Sequence, residues 1–418
     1  MENLAYLGGN KTVPECSQHY VWPVLSSATI KAVNDYLVNR EPLSISTKTG
    51  IVKALEDAIA SYVGVNYVLS TNSGSNALYA AYVSLNLEPG SEVIVQNVTF
   101  HASISPAIHC GLTPVIVDVD ENGNMSVEAL EKAITSKTRA VVVNHTWGHP
   151  ADMDEIVEIC KKNNLKLIED CSHAFGATYN NIKVGNFGDV AVASMQASKT
   201  LSAGEGGLLM TNDNLLYQRA SLVGHYRGRT EVEVTDENLS PYVHSGMGLK
   251  FRIHPIAAVI AYHEFQTFDE KIKNRAKLLD KLSDAFHTIK GIEAPHQKEN
   301  VTMGSYYGFK PSFVPGELKL NGEYIDCDTY IQIMNCEGVE IHRPSVKPLN
   351  TLPIFAGERC PPFTFVEKTW KPRISGQLTG SEQYFENRLS LPTFTYPDSE
   401  EIVDLYISAF QKVSNLLG

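Results

Sequence analysis

Residues 165–171 read Leu-Lys-Leu-Ile-Glu-Asp-Cys, an apolar run that ends in two adjacent carboxylates. Its length and boundary suit a buried strand, and open α/β sheets bind ligands at the carboxyl ends of their strands. A carboxylate buried there is expected to need a cationic partner. The flanking chain repeats the pattern. From about residue 66 to 212, β-rich runs at 92–96, 114–118, 139–144, 166–169, 189–194 and 207–211 alternate with helix-like segments. Segments 126–135 and 152–163 carry apolar residues at helical spacing, the second with Met153, Ile156, Val157 and Cys160 on one side. This alternation predicts an α/β fold with a mainly parallel central sheet covered by helices.

The texture changes after residue 265. A charged helical stretch at 268–289 is followed by a Tyr-rich strand candidate, a helix near 328–337 and a Pro-rich run at 344–372. The chain of 418 residues therefore divides into a large domain, 1–265, and a smaller C-terminal α+β domain, 266–418. Residues 344–376 lack periodicity and read either as a long site-forming loop or as a linker.

Composition excludes several classes of function. No apolar run approaches the roughly 20 residues of a membrane helix, and the start, MENLAYLGGNKTVPEC, lacks the basic and apolar regions of a secretion signal. A cytoplasmic location follows as the expectation. The formal net charge of −12 opposes general binding to nucleic acid. Seven scattered cysteines without a CxxC pair indicate neither a disulfide framework nor a metal site.

Two further stretches carry chemistry. In Ser194-Met-Gln-Ala-Ser-Lys-Thr-Leu-Ser-Ala-Gly-Glu-Gly-Gly207, Lys199 stands between an apolar strand and a glycine-rich turn. Partial desolvation there lowers an ammonium pKa and makes the amine a nucleophile toward an aldehyde; the same residue also reads as an exposed loop lysine. In Ser70-Thr-Asn-Ser-Gly-Ser-Asn-Ala77, small residues open a helix whose N–H groups and dipole favour an anion, although such residues also make routine N-caps.

Together, TNSGSNAL, VIVQNVTFHAS, PVIVDVD, IEDCSHAFGA and S-x-Q-x-x-K-x-L-x-x-GEGG resemble, in order and spacing, the DegT/StrS-type sugar aminotransferases, fold-type I enzymes dependent on pyridoxal 5′-phosphate (PLP). The resemblance spans nearly the whole chain. It implies that Lys199 is the Schiff-base lysine and proton shuttle, and that Asp170 pairs with the protonated pyridine nitrogen. It also implies that Gly74, Ser75 and Ser194 bind the phosphate, that Phe100 stacks on the cofactor, and that His173 hydrogen-bonds its 3′-oxygen. Where relatives often carry G-x-N-x-R, this chain reads Gly248-Leu-Lys-Phe-Arg252. Lys250 then takes the place of an Asn that reaches the neighbouring subunit's cofactor, in a homodimer with shared active sites.

For the substrate, Gln196, Arg229, Tyr306, His342 and Arg343 are candidates, with His225, Tyr226, Arg227 and Tyr307 in the same neighbourhoods. The implied reaction moves an amino group from glutamate or glutamine to a keto-sugar, free or nucleotide-linked, or to a ketocyclitol, in amino-sugar, aminocyclitol or antibiotic biosynthesis. The S-x-Q-x-x-K form resembles members acting on cyclitols. Two rivals remain: a PLP-dependent dehydratase, lyase or aminohydroxybenzoate-synthase-like enzyme, and a non-catalytic PLP-binding regulator. Dehydratases of this lineage tend to replace the lysine, which is retained here as Lys199.

Overall fold

Eight strands form the central sheet: β1 (Tyr67–Thr71), β2 (Glu92–Gln96), β3 (Thr113–Val117), β4 (Thr138–Asn144), β5 (Lys166–Asp170), β6 (Val190–Ser194), β7 (Gly207–Thr211) and β8 (Arg373–Ile374). They are seen in a computed structural model that describes residues 3–14, 22–304, 306–356, 372–394 and 399–418. The spatial order is β1-β7-β6-β5-β4-β2-β3-β8. Pairing is parallel from β6 through to β8, whereas β7 runs antiparallel to both β6 and β1. Val141, Val142, Val143, Leu167 and Ile168 are buried because helices cover both faces of the sheet, which is why their runs are apolar without alternation.

Helix Met153–Lys162 shows how one cover forms. Met153, Ile156, Ile159 and Cys160 are buried against Val115, Val141, Val143 and Leu167. Burying a side chain the size of Ile156 or Met153 contributes about 1.5–3 kcal/mol. Asp154 and Glu155 in the first turn and Lys161 and Lys162 in the last complement the helix dipole. On the other face, helix Gly74–Leu85 packs on β6 and β7, and its amino end meets the carboxyl end of β6.

A second core joins helices Phe268–Phe286, Cys327–Cys336 and Glu400–Leu417 through Leu279, Leu282, Phe286, Ile333, Tyr406 and Phe410. Leu4 and Val13 from the amino-terminal segment also pack there, and Leu349, Phe355 and Leu378 pack with the sheet. The buried Glu337 carboxylate pins the amino-terminal segment, accepting hydrogen bonds from Ala5 N at 2.7 Å, Thr12 Oγ1 at 2.8 Å and Lys412 Nζ at 2.9 Å.

Two strands of the central sheet lie outside the sequence reading: β1, whose short run precedes the helix-opening motif, and β8, two residues at the sheet edge. In the aperiodic segment 344–376, Leu349 N bonds Asn97 O at 2.9 Å and Ser375 N bonds Ile116 O at 2.9 Å, so its described parts are tied to the sheet. Residues 357–371 of that segment lie outside the described residues. Among the described residues, no helix is long and apolar enough to cross a membrane.

Candidate active site

Adjacent residues on a strand point to opposite faces, and β5 uses this to separate its two carboxylates. Glu169 turns away from the site and accepts from three backbone donors, Gly185 N at 2.8 Å, Phe187 N at 2.7 Å and Gly188 N at 2.6 Å, with His145 Nε2 at 3.3 Å. The expected cationic partner is therefore replaced by backbone N–H groups. Glu169, His145 and Cys171 lie close enough to share an ion. Yet the carboxylate is already occupied, and burial, then the charges of Glu169 and Asp170, push the Cys171 thiol well above its usual range.

Asp170 faces the other way, into a cavity of about 290 Å³ at the strand ends, near the lower limit of about 300 Å³ for small-molecule pockets. Its carboxylate accepts from Ser103 Oγ at 2.6 Å and Ser172 N at 3.1 Å. Among the described residues no Lys or Arg forms an ion pair with it, so it remains suited to a cationic N–H supplied by a ligand. Beside it in register lies Asn144 of β4, buried, with Oδ1 lacking a hydrogen-bond partner in the cavity wall.

Opposite stands the amino end of helix Gly74–Leu85. Ser73 caps it, its Oγ accepting from Asn76 N at 3.1 Å, and the N–H groups of Gly74 and Ser75 have no intrahelical acceptor. Gly74 is required sterically: a Cβ there would lie 2.8 Å from Ser194 Cβ. A Cβ on Gly207 would come within 2.3 Å of Ser73 O. Two missing side chains thus let the helix end approach Ser194 and form an anion cradle of backbone N–H groups and the Ser194 hydroxyl.

Lys199 follows β6 in a turn held from outside. Its N–H donates to Gln196 O at 2.8 Å, its carbonyl accepts from Trp22 Nε1 at 3.1 Å, and the next residue's Thr200 Oγ1 accepts from Arg275 Nη1 at 2.7 Å. Lys199 Nζ lies 3.6 Å from the centre of the Tyr307 ring. Burial pushes the ammonium below its ordinary range, against the opposing pull of Tyr307 and Asp170. That environment favours a reactive neutral amine.

Tyr307 stacks on His173 at 4.4 Å, and His173 stacks on Trp147 at 5.1 Å. Burial, then the charges of Lys199 and Lys310, push the His173 imidazole well below its usual range, so it acts as a neutral hydrogen-bonding group. Phe100 stands at the mouth, 48% exposed. The cavity therefore gathers Gly74, Ser75, Phe100, Asp170, His173, Ser194, Gln196 and Lys199 in one place.

The expectations for Arg229, Tyr306 and Arg343 as substrate residues are corrected. Arg229 is buried and paired with Glu56 through Nη1 at 2.9 Å and Nη2 at 2.6 Å, with Tyr217 and Glu233 taking further donors. It has no face toward the cavity. Tyr306 points into the second core, its hydroxyl donating to Asp280 Oδ1 at 2.7 Å, and the neighbouring Tyr307 is the one lining the site. Arg343 is held by Asp328 Oδ1 at 2.8 Å and by the carbonyls of Phe385 and Glu386. His342 lines an adjoining trough, and Lys250 is exposed and does not line its own chain's cavity. His225 is buried with Nε2 2.9 Å from Ser70 O. Sequence reasoning missed Asn144, Ser103 and Trp147; Ser103 at least lies inside the motif at 93–103.

These residues fit PLP. An acid lacking a protein cation, a cradle that a Cβ would fill, an orphaned amide oxygen and a desolvated amine suit a ring nitrogen, a phosphate, a polar ring substituent and an aldehyde respectively.

Comparison with known proteins agrees. The sequence profile described as the DegT/DnrJ/EryC1/StrS aminotransferase family matches residues 30–406. GDP-perosamine synthase of Escherichia coli O157:H7 is 36% identical over 259 residues, covering 62% of this chain and 68% of that protein. A UDP-N-acetyl-3-dehydro-alpha-D-glucosamine 3-aminotransferase of Acidithiobacillus ferrooxidans is 38% identical over 216 residues, 51% of this chain and 56% of that one. The crystal structure of an aminotransferase from Psychrobacter cryohalolentis superposes with a TM-score of 0.82 at 26% identity, covering 95% of this chain and 99% of that one. The chain belongs to the DegT/DnrJ/EryC1/StrS aminotransferase family and is a PLP-dependent aminotransferase of fold type I.

Proposed function

We propose that this protein transfers the amino group of glutamate or glutamine to the ketone of a nucleotide-linked keto-sugar. The observation that carries the reading is the convergence on one cavity of Lys199 Nζ, the Asp170 carboxylate and the amino end of helix Gly74–Leu85. The nucleotide link is supported by the relatives that act on GDP- and UDP-sugars.

Bound PLP supplies an electron-withdrawing ring that acidifies the donor's α-proton and carries the amino group between substrates. Lys199 Nζ would hold the cofactor between turnovers and, when free, would move the donor's α-proton; burial shifts it toward the neutral amine that both tasks need. Asp170, oriented by Ser103 and Ser172, keeps a proton on the ring nitrogen. Gly74, Ser75 and Ser194 hold the phosphate. Phe100 would border the ring, and neutral His173 would offer a hydrogen bond to its oxygen. Gln196 borders the acceptor side, its Oε1 already fixed by Ser198 N at 2.8 Å. Lys250, exposed and outside its own cavity, reaches the phosphate site of a second copy in a homodimer.

The test follows the amino group. The PLP-loaded protein is incubated with L-glutamate or L-glutamine, and keto acid is measured by mass spectrometry together with the cofactor's visible band. One keto acid per site is expected, and addition of nucleotide-linked keto-sugars, but not ketocyclitols, is expected to restore the starting band. Elimination without keto acid would establish the dehydratase reading instead.

A further inference from the structure

Beside the active-site cavity, with Tyr307 as their common wall, lies an open trough of about 550 Å³ lined among others by Trp147, Lys310, His342, Ser390 and Thr393. Its distinctive group is Lys310. Its ammonium rests 4.4 Å from the centre of the Trp147 ring and donates to Ser390 Oγ. Among the described residues, no carboxylate forms an ion pair with it. Glu340 lines the same trough, but its charge bears on His342. Burial lowers the ammonium to about 8, with no acidic group opposing the shift. A partly desolvated cation facing open space without an internal counterion is costly unless a ligand compensates it.

The surroundings place this ammonium deliberately. Gly308 makes room for it: a Cβ there would lie 2.7 Å from the Trp147 ring and 3.0 Å from Lys310 Cε. The backbone is clamped on both sides, with Leu391 N bonding Phe309 O at 3.1 Å and Arg388 Nη1 bonding Lys310 O at 2.9 Å. Trp147 itself has φ of 56° and is held by its Nε1 donating to Tyr384 OH at 2.7 Å. The rings of Trp147, His173 and Tyr307 are near parallel, so one ammonium, Lys310, sits on a face of this aromatic cluster while the other, Lys199, sits on Tyr307.

We propose that Lys310 is a specificity-determining residue that receives an anionic oxygen group, carboxylate or phosphate, of a substrate whose reacting end lies at Lys199. This deepens and rests on the aminotransferase reading above. The anion has two sources: a carboxylate of the amino donor, or a phosphate of the acceptor.

Calorimetric titration of the full-length PLP-loaded protein separates them. Glutarate, an unreactive dicarboxylate, stands for the donor, and inorganic pyrophosphate stands for a nucleotide-linked acceptor. Lys310→Met is expected to weaken one probe at least tenfold while Lys310→Arg retains it, and the probe affected names the source. Lys310→Gln, which keeps a hydrogen-bonding group near Ser390, replaces the Met variant if that one does not fold. Affinities unchanged for both probes, or no measurable binding of either to the wild-type protein, would overturn the proposal. If Lys310-dependent binding is found but no keto acid forms from glutamate or glutamine, the anion seat stands and the transfer reading falls.

Discussion

Replacing Arg229 by Met tests whether this arginine supports the fold or the acceptor. Arg229 and Glu56 are 2% and 0% exposed, and they meet through two parallel hydrogen bonds of 2.9 and 2.6 Å. Burial would raise the Glu56 carboxyl, but the charge and hydrogen bonds of Arg229, helped by Ser70, hold it below the ordinary range. Removing the guanidinium strands a buried carboxylate, at a cost of about 3–5 kcal/mol. The double variant Glu56→Gln/Arg229→Met removes the stranded charge, while the amide oxygen it introduces can still accept from Ser70 N and Ser70 Oγ, the donors that now serve Glu56. Most of the loss is expected to return. Thermal unfolding followed by circular dichroism should show Arg229→Met roughly 3–6 °C below the wild type at neutral pH, with the double variant in between or near the wild type. Acidification to about pH 5 should narrow the gap, because an isolated buried carboxyl takes up a proton readily. An unchanged midpoint accompanied by a tenfold rise in acceptor KM would refute the structural role and return Arg229 to the substrate site.

Gly74→Ala inserts a methyl 2.8 Å from Ser194 Cβ, so the helix end must retreat from β6, and PLP affinity measured by equilibrium titration is expected to fall at least tenfold. Lys250→Ala should weaken PLP binding in the assembled protein, by the loss of one charge near a phosphate; affinity equal to the wild type would remove Lys250 from the cofactor site. His225 is buried, and burial followed by the charge of Arg229 lowers its imidazole from 6.5 to about 4. The unfolded chain therefore binds a proton that the native state refuses, so stability is full above about pH 6.5 and drains by about 3 kcal/mol as pH falls to 4. His225→Gln, which can still donate to Ser70 O, should flatten that part of the acid-unfolding curve; an unchanged curve would show that His225 does not titrate this way.

The parts of the site that were legible in the sequence are those where a residue's local pattern also dictates its direction. Asp170 ends an apolar strand, Gly74 and Ser75 open a helix, and Lys199 precedes a glycine-rich turn, so the backbone alone carries all three to the carboxyl edge of the sheet. Where direction depends on a distant partner, the sequence is silent. Tyr306 and Tyr307 are neighbours, yet Tyr306, at φ of 43°, turns its hydroxyl to Asp280 and leaves Tyr307 to the cavity. Arg229 stands in a run of His, Tyr and Arg that suggests an anion site, but its partner Glu56 lies 173 residues away. Nothing within the run reveals that pairing. The same logic explains Lys310: a single lysine after Gly308 and Phe309 carries no signal until Trp147, 163 positions earlier in the numbering of the chain, is folded beneath it. Charge compensation is thus the physical quantity that sorts these cations after folding. Arg229 is neutralised internally and serves the fold, whereas Lys199 and Lys310 rest on aromatic faces with no carboxylate ion pair among the described residues, the condition under which a cation is left for a ligand.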